Sequence, residues 1–235
     1  MREAAIFAFA LATTVSAPTP VRAQDRDDFL KVYAIKVIHN RPLKEPSVGF
    51  AVYVGKGALV TAAHVLGRFS SFFTNPRVLI AGRELTATVI KEGSFATTDL
   101  AVLSVDEQQL PVSFRLRRNP LCQDTPKSGE DVVVVLPYAI EHSRIRFPTA
   151  LPLEFRATSN TFIDDLPMPG GSGAGVYHAE KKCLLGILSS KISNANYRVE
   201  DRRRIRDLSN STVGVARHFV PASVIADFIP AEFRF

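Results

Sequence analysis

The sequence predicts an all-β fold, either a sandwich or a pair of small barrels, that ends in one short helix. Three observations carry this. Short runs rich in Val, Ile, Phe and Leu, bounded by Gly, Pro, Asn and Asp, recur from residue 30 onward, which is the pattern of strands and turns. Apolar residues at helical spacing are hard to find before residue 221. The chain has 235 residues, 46% of them hydrophobic and 22% charged, enough to bury a real core and too ordered in composition for a disordered, collagen-like or disulfide-dense chain.

The elements follow in order. Arg2 and Glu3 precede an apolar run from Ala4 to Ala12, and a Thr/Ser/Pro stretch closes with Val21-Arg22-Ala23 before Gln24. This is the pattern of a cleaved leader over residues 1–23, with the mature chain starting at Gln24. About nine apolar residues fall short of the roughly 20 that a spanning helix needs, and charges or prolines interrupt every later run, so no stable membrane anchor is expected. Strands are expected at 30–38, 47–55, 57–62, 77–82, 84–92, 99–105, 131–137, 148–156, 174–178, 183–190 and 212–219. Two prolines and an arginine cluster mark 111–125 as a connector between halves. Pro221 opens a helix-compatible segment with apolar residues three and four apart, and Pro230 stops it.

The formal charge is +6, and the excess is concentrated at Arg115, Arg117 and Arg118 and at Arg202-Arg203-Arg204-Ile205-Arg206. Glu200, Asp201 and Asp207 flank the second cluster, and Tyr197 is the only aromatic residue near it. A single-strand nucleic-acid groove interleaves basic and aromatic residues, so no nucleic-acid partner is expected. A solvated loop, or a patch that binds acidic surfaces, fits better. An exported chain meets an oxidising compartment, which predicts one disulfide between Cys122 and Cys183. His39, His142, His178 and His218 are scattered without ligand spacing, so neither metal nor cofactor is expected.

Three local signals bear on chemistry. Leu59-Val60-Thr61-Ala62-Ala63-His64 is a buried-looking strand that runs into a histidine. Asp99 heads the apolar run Leu100-Ala101-Val102-Leu103, where a buried carboxylate needs a hydrogen-bond donor. Gly170-Gly171-Ser172-Gly173 places a serine in a glycine-rich turn that lets backbone N–H groups converge. Acyl transfer needs these parts: a hydroxyl nucleophile, an imidazole that takes and returns its proton, and a carboxylate that fixes the imidazole. The order His, Asp, Ser, each at a strand edge, resembles the chymotrypsin/trypsin-like serine protease family, over roughly residues 45–230. Gly49-Phe50-Ala51-Val52-Tyr53-Val54-Gly55 is similar to that family's opening hairpin. The α/β-hydrolase elbow does not fit, because position 174 is Ala and that triad runs in another order.

The resemblance implies two six-stranded antiparallel β-barrels, at 24–118 and 119–235, with a short C-terminal helix and a cleft between them. It implies Ser172 as nucleophile, His64 as general base and acid, Asp99 as the orienting carboxylate, and the N–H groups of Gly170 and Ser172 as the oxyanion hole. Ser189, in Gly186-Ile187-Leu188-Ser189, is implied to support Asp99 on the strand that pairs with substrate, and Leu166 to lie at the base of the specificity pocket, favouring an apolar residue. The expected activity is that of a secreted or periplasmic serine endopeptidase acting on protein or peptide substrates as a monomer. Departures matter: Gly171 stands where digestive members carry the acid that pairs with a new N-terminus, and Val65 follows the histidine where Cys is common. The disulfide would staple the second barrel, and no PDZ-like module is expected after the terminal helix. The alternatives are a catalytically inactive binding protein on the same fold and, on the arginines alone, a module that binds anionic surfaces.

Overall fold

Alternation of buried side chains along each strand sorts the molecule into two sheets with a common seam. The computed structural model describes residues 27–41, 44–67, 74–94, 97–151, 153–166, 170–192 and 216–234. The expected leader, Tyr197, the Arg202–Arg206 cluster and residues 212–215 of the last expected strand lie outside the described residues.

The first sheet contains β1 (Ala34–Arg41), β2 (Lys44–Gly55), β3 (Ala58–Thr61), β4 (Arg77–Ile80), β5 (Arg83–Thr86), β6 (Thr88–Glu92) and β7 (Ala101–Ser104). Its order is β5-β4-β1-β2-β3-β7-β6, antiparallel throughout. The two outermost strands divide the run expected as a single strand over 84–92; they part at Ala87, whose N–H donates to Pro76 O at 2.8 Å and so extends the β4–β5 pairing by one position. The chain itself therefore brings the two edges of the sheet together. The second sheet contains β8 (Asp131–Val135), β9 (Ile140–Arg144), β10 (Phe162–Asp164), β11 (Gly175–His178), β12 (Leu184–Ile192) and β13 (Ala216–Pro221). Its order is β10-β13-β12-β11-β8-β9, and the edge strands meet through an Ile145–Ile163 bridge. The expected architecture of two antiparallel barrels and a short terminal helix, Ala222–Phe228, is the one observed, except that the first sheet has seven strands rather than six because the run 84–92 forms two.

The apolar runs of β2, β3, β7, β8 and β11 are continuous because both of their faces are covered. Ala51, Tyr53, Leu59, Ala101 and Leu103 point into the first core. Val132, Val134, Val176, Leu185 and Leu188 point into the second. The alternate residues, Val52, Val54, Val60, Leu100 and Val102 from the first sheet with Val133, Val135, Tyr177, Leu184 and Ile187 from the second, meet in one cluster between them. A period of two, buried on both sides, gives each strand one face for its own core and one for the seam.

The connector expected at 111–125 holds a one-turn helix, Val112–Arg115, and Asn119, which bonds to both sheets. Asn119 N–H donates to Val54 O at 3.3 Å, and Asn119 Nδ2 donates to the buried hydroxyl of Tyr177 at 2.7 Å. Burial drives that phenol well above its usual titration range. Cys122 and Cys183 form the expected disulfide, with Cα atoms 5.0 Å apart.

Two expectations are corrected. Residues 148–156 were expected as a strand but form 3₁₀ turns, Pro148–Ala150 and Leu153–Thr161, opened by a proline that has no N–H to give a ladder. Residues 28–33, partly covered by the expected strand 30–38, form a 3₁₀ helix supported by an Asp28–Lys31 pair, and β1 begins only at Ala34.

Candidate active site

The site begins with a turn that points one carboxylate inward. The N–H groups of Thr97, Thr98 and Asp99 all converge on Ser94 O at 2.9–3.1 Å, and Asp99 takes a left-handed backbone with φ 44°. Aspartate tolerates this region better than most residues. The turn leaves the Asp99 carboxylate only 4% exposed, under the last residues of β3.

A buried carboxylate must be saturated with donors, and three are present. The backbone N–H of His64 donates to Asp99 Oδ1 at 3.0 Å. The ring Nδ1 of His64 lies 2.9 Å from Oδ2 and 3.1 Å from Oδ1. The hydroxyl of Ser189, on β12, donates to Oδ2. The main chain contributes too, since Ala63 N–H donates to Asp99 O at 3.2 Å. Asp99 therefore holds the short helix Ala63–Leu66 by both backbone and side chain. Facing two carboxylate oxygens, Nδ1 carries the hydrogen and Nε2 is the basic nitrogen. The His64 side chain keeps 31% of its surface exposed, whereas that of Asp99 keeps 5%.

The glycine-rich turn comes from the second sheet and rests on the first. Gly170, Gly171 and Gly173 have φ of 80°, 103° and 84°, a region costly for residues with a Cβ. Ser172 O accepts from Phe50 N–H at 2.9 Å, and Gly173 N–H donates to Leu188 O at 2.8 Å. A Cβ at Gly173 would lie 1.8 Å from Phe50 O and 2.7 Å from Thr61 Oγ1, so the turn sits on β2 and β3 at backbone contact. A Cβ at Gly49 would likewise meet Val65 at 2.6 Å and Ser172 O at 3.2 Å. Gly49 thus lies against both Ser172 O and Val65 of the helix that bears His64. Around Gly170, no atom of the described residues other than its chain neighbours lies within 4 Å of a Cβ built there.

Of the residues singled out by sequence, His64, Asp99 and Ser189 are in direct contact, and Ser172 and Gly170 lie in the adjoining turn. Leu166 is 4% exposed and packs in the second core with Phe50 and Phe219; its neighbours Pro167 and Met168 lie outside the described residues. Sequence reasoning missed Thr61, whose buried hydroxyl donates to Phe50 O at 2.5 Å and braces the strand that receives the turn. It also missed Arg217, a guanidinium only 5% exposed on β13, and His218. The signal for Arg217 was a cation within the largely apolar strand Ala216–Pro221. A cleft of about 270 Å³ opens behind Asp99, lined by Thr98, Ser189, His218 and Val220 among others. Burial there lowers the His218 pKa, while the Asp99 charge partly opposes the shift. Among the described residues no cluster of His, Cys, Asp and Glu gathers as a metal ion requires.

No protein-family model matches the chain, and no curated protein matches it in sequence. Solved structures match it through their fold. The protease Rv3671c of M. tuberculosis in its active form superposes with a TM-score of 0.59 at 16% identity, over 96% of this chain and 92% of that one. Its inactive form gives 0.56 at 17%, over 92% and 97%. A serine endoprotease of Yersinia pestis gives 0.59 at 19%, over 89% of this chain and 65% of that one. The chain has the fold of the trypsin-like serine proteases.

Proposed function

We propose that the chain is a serine endopeptidase, with Ser172 as nucleophile, His64 as general base and acid, and Asp99 as the carboxylate that orients it. The observation that carries this is the buried Asp99 carboxylate gripping His64 Nδ1, beside a glycine-rich turn that bears Ser172. Similarity to solved proteases supports the same reading.

The proposed chemistry is acyl transfer through a covalent intermediate. Ser172 Oγ attacks the scissile carbonyl carbon and its proton passes to His64 Nε2; the carbonyl π electrons move to oxygen. The N–H groups of Gly170 and Ser172 receive that oxyanion. Collapse expels the amine, which takes the proton from His64, and leaves an acyl-enzyme on Ser172. Water then repeats the sequence, releases the acid and restores the serine. Asp99 keeps the ring in the required tautomer and stabilises its charged form, and Ser189 holds Asp99.

Substrate docks as an added strand. The register of β12 with β11 ends at Ile187, while β12 runs on to Ile192 past the glycine turn. An extended peptide bonds that overhanging edge, which is β-augmentation. Leu166 is the residue we assign to the base of the pocket, with an apolar substrate side chain preferred. The disulfide supports export to an oxidising compartment, with mature residue Gln24 as the first residue and the protein working as a monomer; N-terminal sequencing of the exported protein checks the cut.

A fluorophosphonate probe tests the central claim: Ser172 Oγ bonds to phosphorus, fluoride leaves, and His64 takes the proton. Labelling of the wild type at Ser172 by mass spectrometry, lost in Ser172→Ala and His64→Ala, together with cleavage of unfolded casein, supports the reading. A folded protein that neither labels nor cleaves would instead be a binding protein on a protease fold.

A further inference from the structure

We infer that Arg217, tethered by Asp165, is the positioning residue that holds the Gly170 end of the glycine turn, and with it the oxyanion hole, in working geometry. The inference rests on the endopeptidase reading above and adds to it a brace drawn from the far side of the second sheet.

The turn needs such a brace. Three glycines at positive φ carry no side chains to lock them, and glycine surrenders more conformational freedom on ordering than any other residue. The later half of the turn is fixed by main-chain bonds: Ser172 O to Phe50 N–H, Gly173 N–H to Leu188 O, and Ala174 N–H to Gly171 O, all at 2.8–2.9 Å. At the Gly170 end, no atom of the described residues other than its chain neighbours lies within 4 Å of a built Cβ. Among the described residues, the Arg217 side chain reaches the carbonyl there, and its Nη1 donates to Gly170 O. The same nitrogen would lie 3.4 Å from a Cβ at Gly171, so the guanidinium lies directly beneath the residue before Ser172.

Arg217 is itself anchored. It sits on β13, in register with Ile163 of β10 and Lys191 of β12, so its backbone is fixed in the sheet. Its Nε donates to Asp165 Oδ1 at 2.9 Å, where the Asp165 side chain is 30% exposed. A guanidinium presents a planar fork, so a bond at Nε to one acceptor sets where Nη1 can aim. A buried cation is tolerated only with acceptors around it, and those of Arg217 include a carboxylate and a main-chain carbonyl. The brace thus runs from Asp165 through Arg217 to Gly170 O, fixing the peptide plane that follows Gly170. Fixing that plane restricts Gly170, whose N–H is the hole donor that the main-chain bonds of the later half do not reach.

The test is the rate of Ser172 labelling by a fluorophosphonate, with the final labelled fraction and casein-peptide kcat and KM measured on the same preparations of wild type, Arg217→Met, Arg217→Lys and Asp165→Asn. A loosened hole slows labelling while the final fraction stays near that of wild type; partial unfolding lowers the fraction instead. The expected result for Arg217→Met is a labelling rate and kcat at least tenfold lower with KM little changed, with Arg217→Lys and Asp165→Asn intermediate. If Arg217→Met does not fold, the two milder variants carry the same comparison. Folded variants that label and turn over within twofold of wild type would overturn the brace while leaving the protease reading intact. A wild type that never labels would remove both.

Discussion

Asp99 concentrates the consequences of single residues, because one buried carboxylate serves a backbone N–H, an imidazole and a hydroxyl. Asp99→Asn puts an amide donor where His64 Nδ1–H needs an acceptor, and so favours the wrong tautomer. The expected loss in kcat is about 10⁴-fold, the size typical of that change in such triads, with the melting temperature as control. Ser189→Ala removes one donor to the same carboxylate; at about 1.5 kcal/mol for a bond to a charged group, kcat falls roughly tenfold. An unchanged kcat in Ser189→Ala would assign Ser189 a role in packing alone.

His218 gives a pH signature of a different kind. Burial holds its folded pKa below the ordinary histidine value of about 6.5, so above that value it is neutral in both states and costs nothing. As pH falls below 6.5 the unfolded chain takes up a proton that the folded protein resists, and stability is lost down to the folded pKa. Urea denaturation at pH 7.5 and 5 should show that loss shrinking in His218→Gln. These residues were unequally legible in the sequence. His64, Asp99 and Ser172 stand at strand edges in an order that resembles a known family. Arg217 and His218 matter through neighbours about 50 or more positions away, Asp165, Gly170, Phe162 and Asp99, and no local pattern encodes such a distance.

Among the elements, the disulfide joins the connector to the turn between β11 and β12 and closes a loop of 61 residues. Chain-entropy arguments put its contribution at about 4 kcal/mol, so reduction should lower the melting temperature by on the order of 10 °C. A melting temperature insensitive to reductant would mean that the reduced chain keeps the same restriction by other means. Element prediction failed where partners, rather than composition, decide. β9 alternates Ile140, His142 and Arg144 with polar neighbours and exists because β8 pairs it residue for residue, Val133 against His142. β10 is three residues long and exists through β13. Residues 148–156, apolar enough to read as a strand, have no such partner among the described pairings and coil into 3₁₀ turns. The strands that were legible, such as β2 and β8, are apolar on both faces because each lies between a core and the seam.

At the scale of the whole molecule, the seam makes the two sheets interdependent. Leu100 and Val102 of one sheet and Val133, Ile187 and Val220 of the other share a single cluster, and Asn119 bonds across it. Unfolding should therefore be one transition, with calorimetric and van't Hoff enthalpies in agreement; two resolved peaks would show barrels that stand alone. Leu100→Ala, in the seam, should cost about 2–5 kcal/mol and lower that one transition without splitting it. The C-terminal helix adds to the coupling, as Lys91 reaches back from β6 to donate to Phe228 O at 3.0 Å, and Lys56 donates to Arg234 O at 2.9 Å.

The seating of Ser172 on Phe50 has a bearing on the life of the chain before it is finished. Under the proposed reading, the imidazole and its carboxylate are synthesised first, by residue 99, and the hydroxyl arrives 73 residues later on another sheet. A growing polypeptide holds half a lock and no key. Cutting power appears only when the two pieces click together, after both sheets are built and the glycine turn drops onto β2. Under that reading, the order of the residues delays activity until the glycine turn has reached β2.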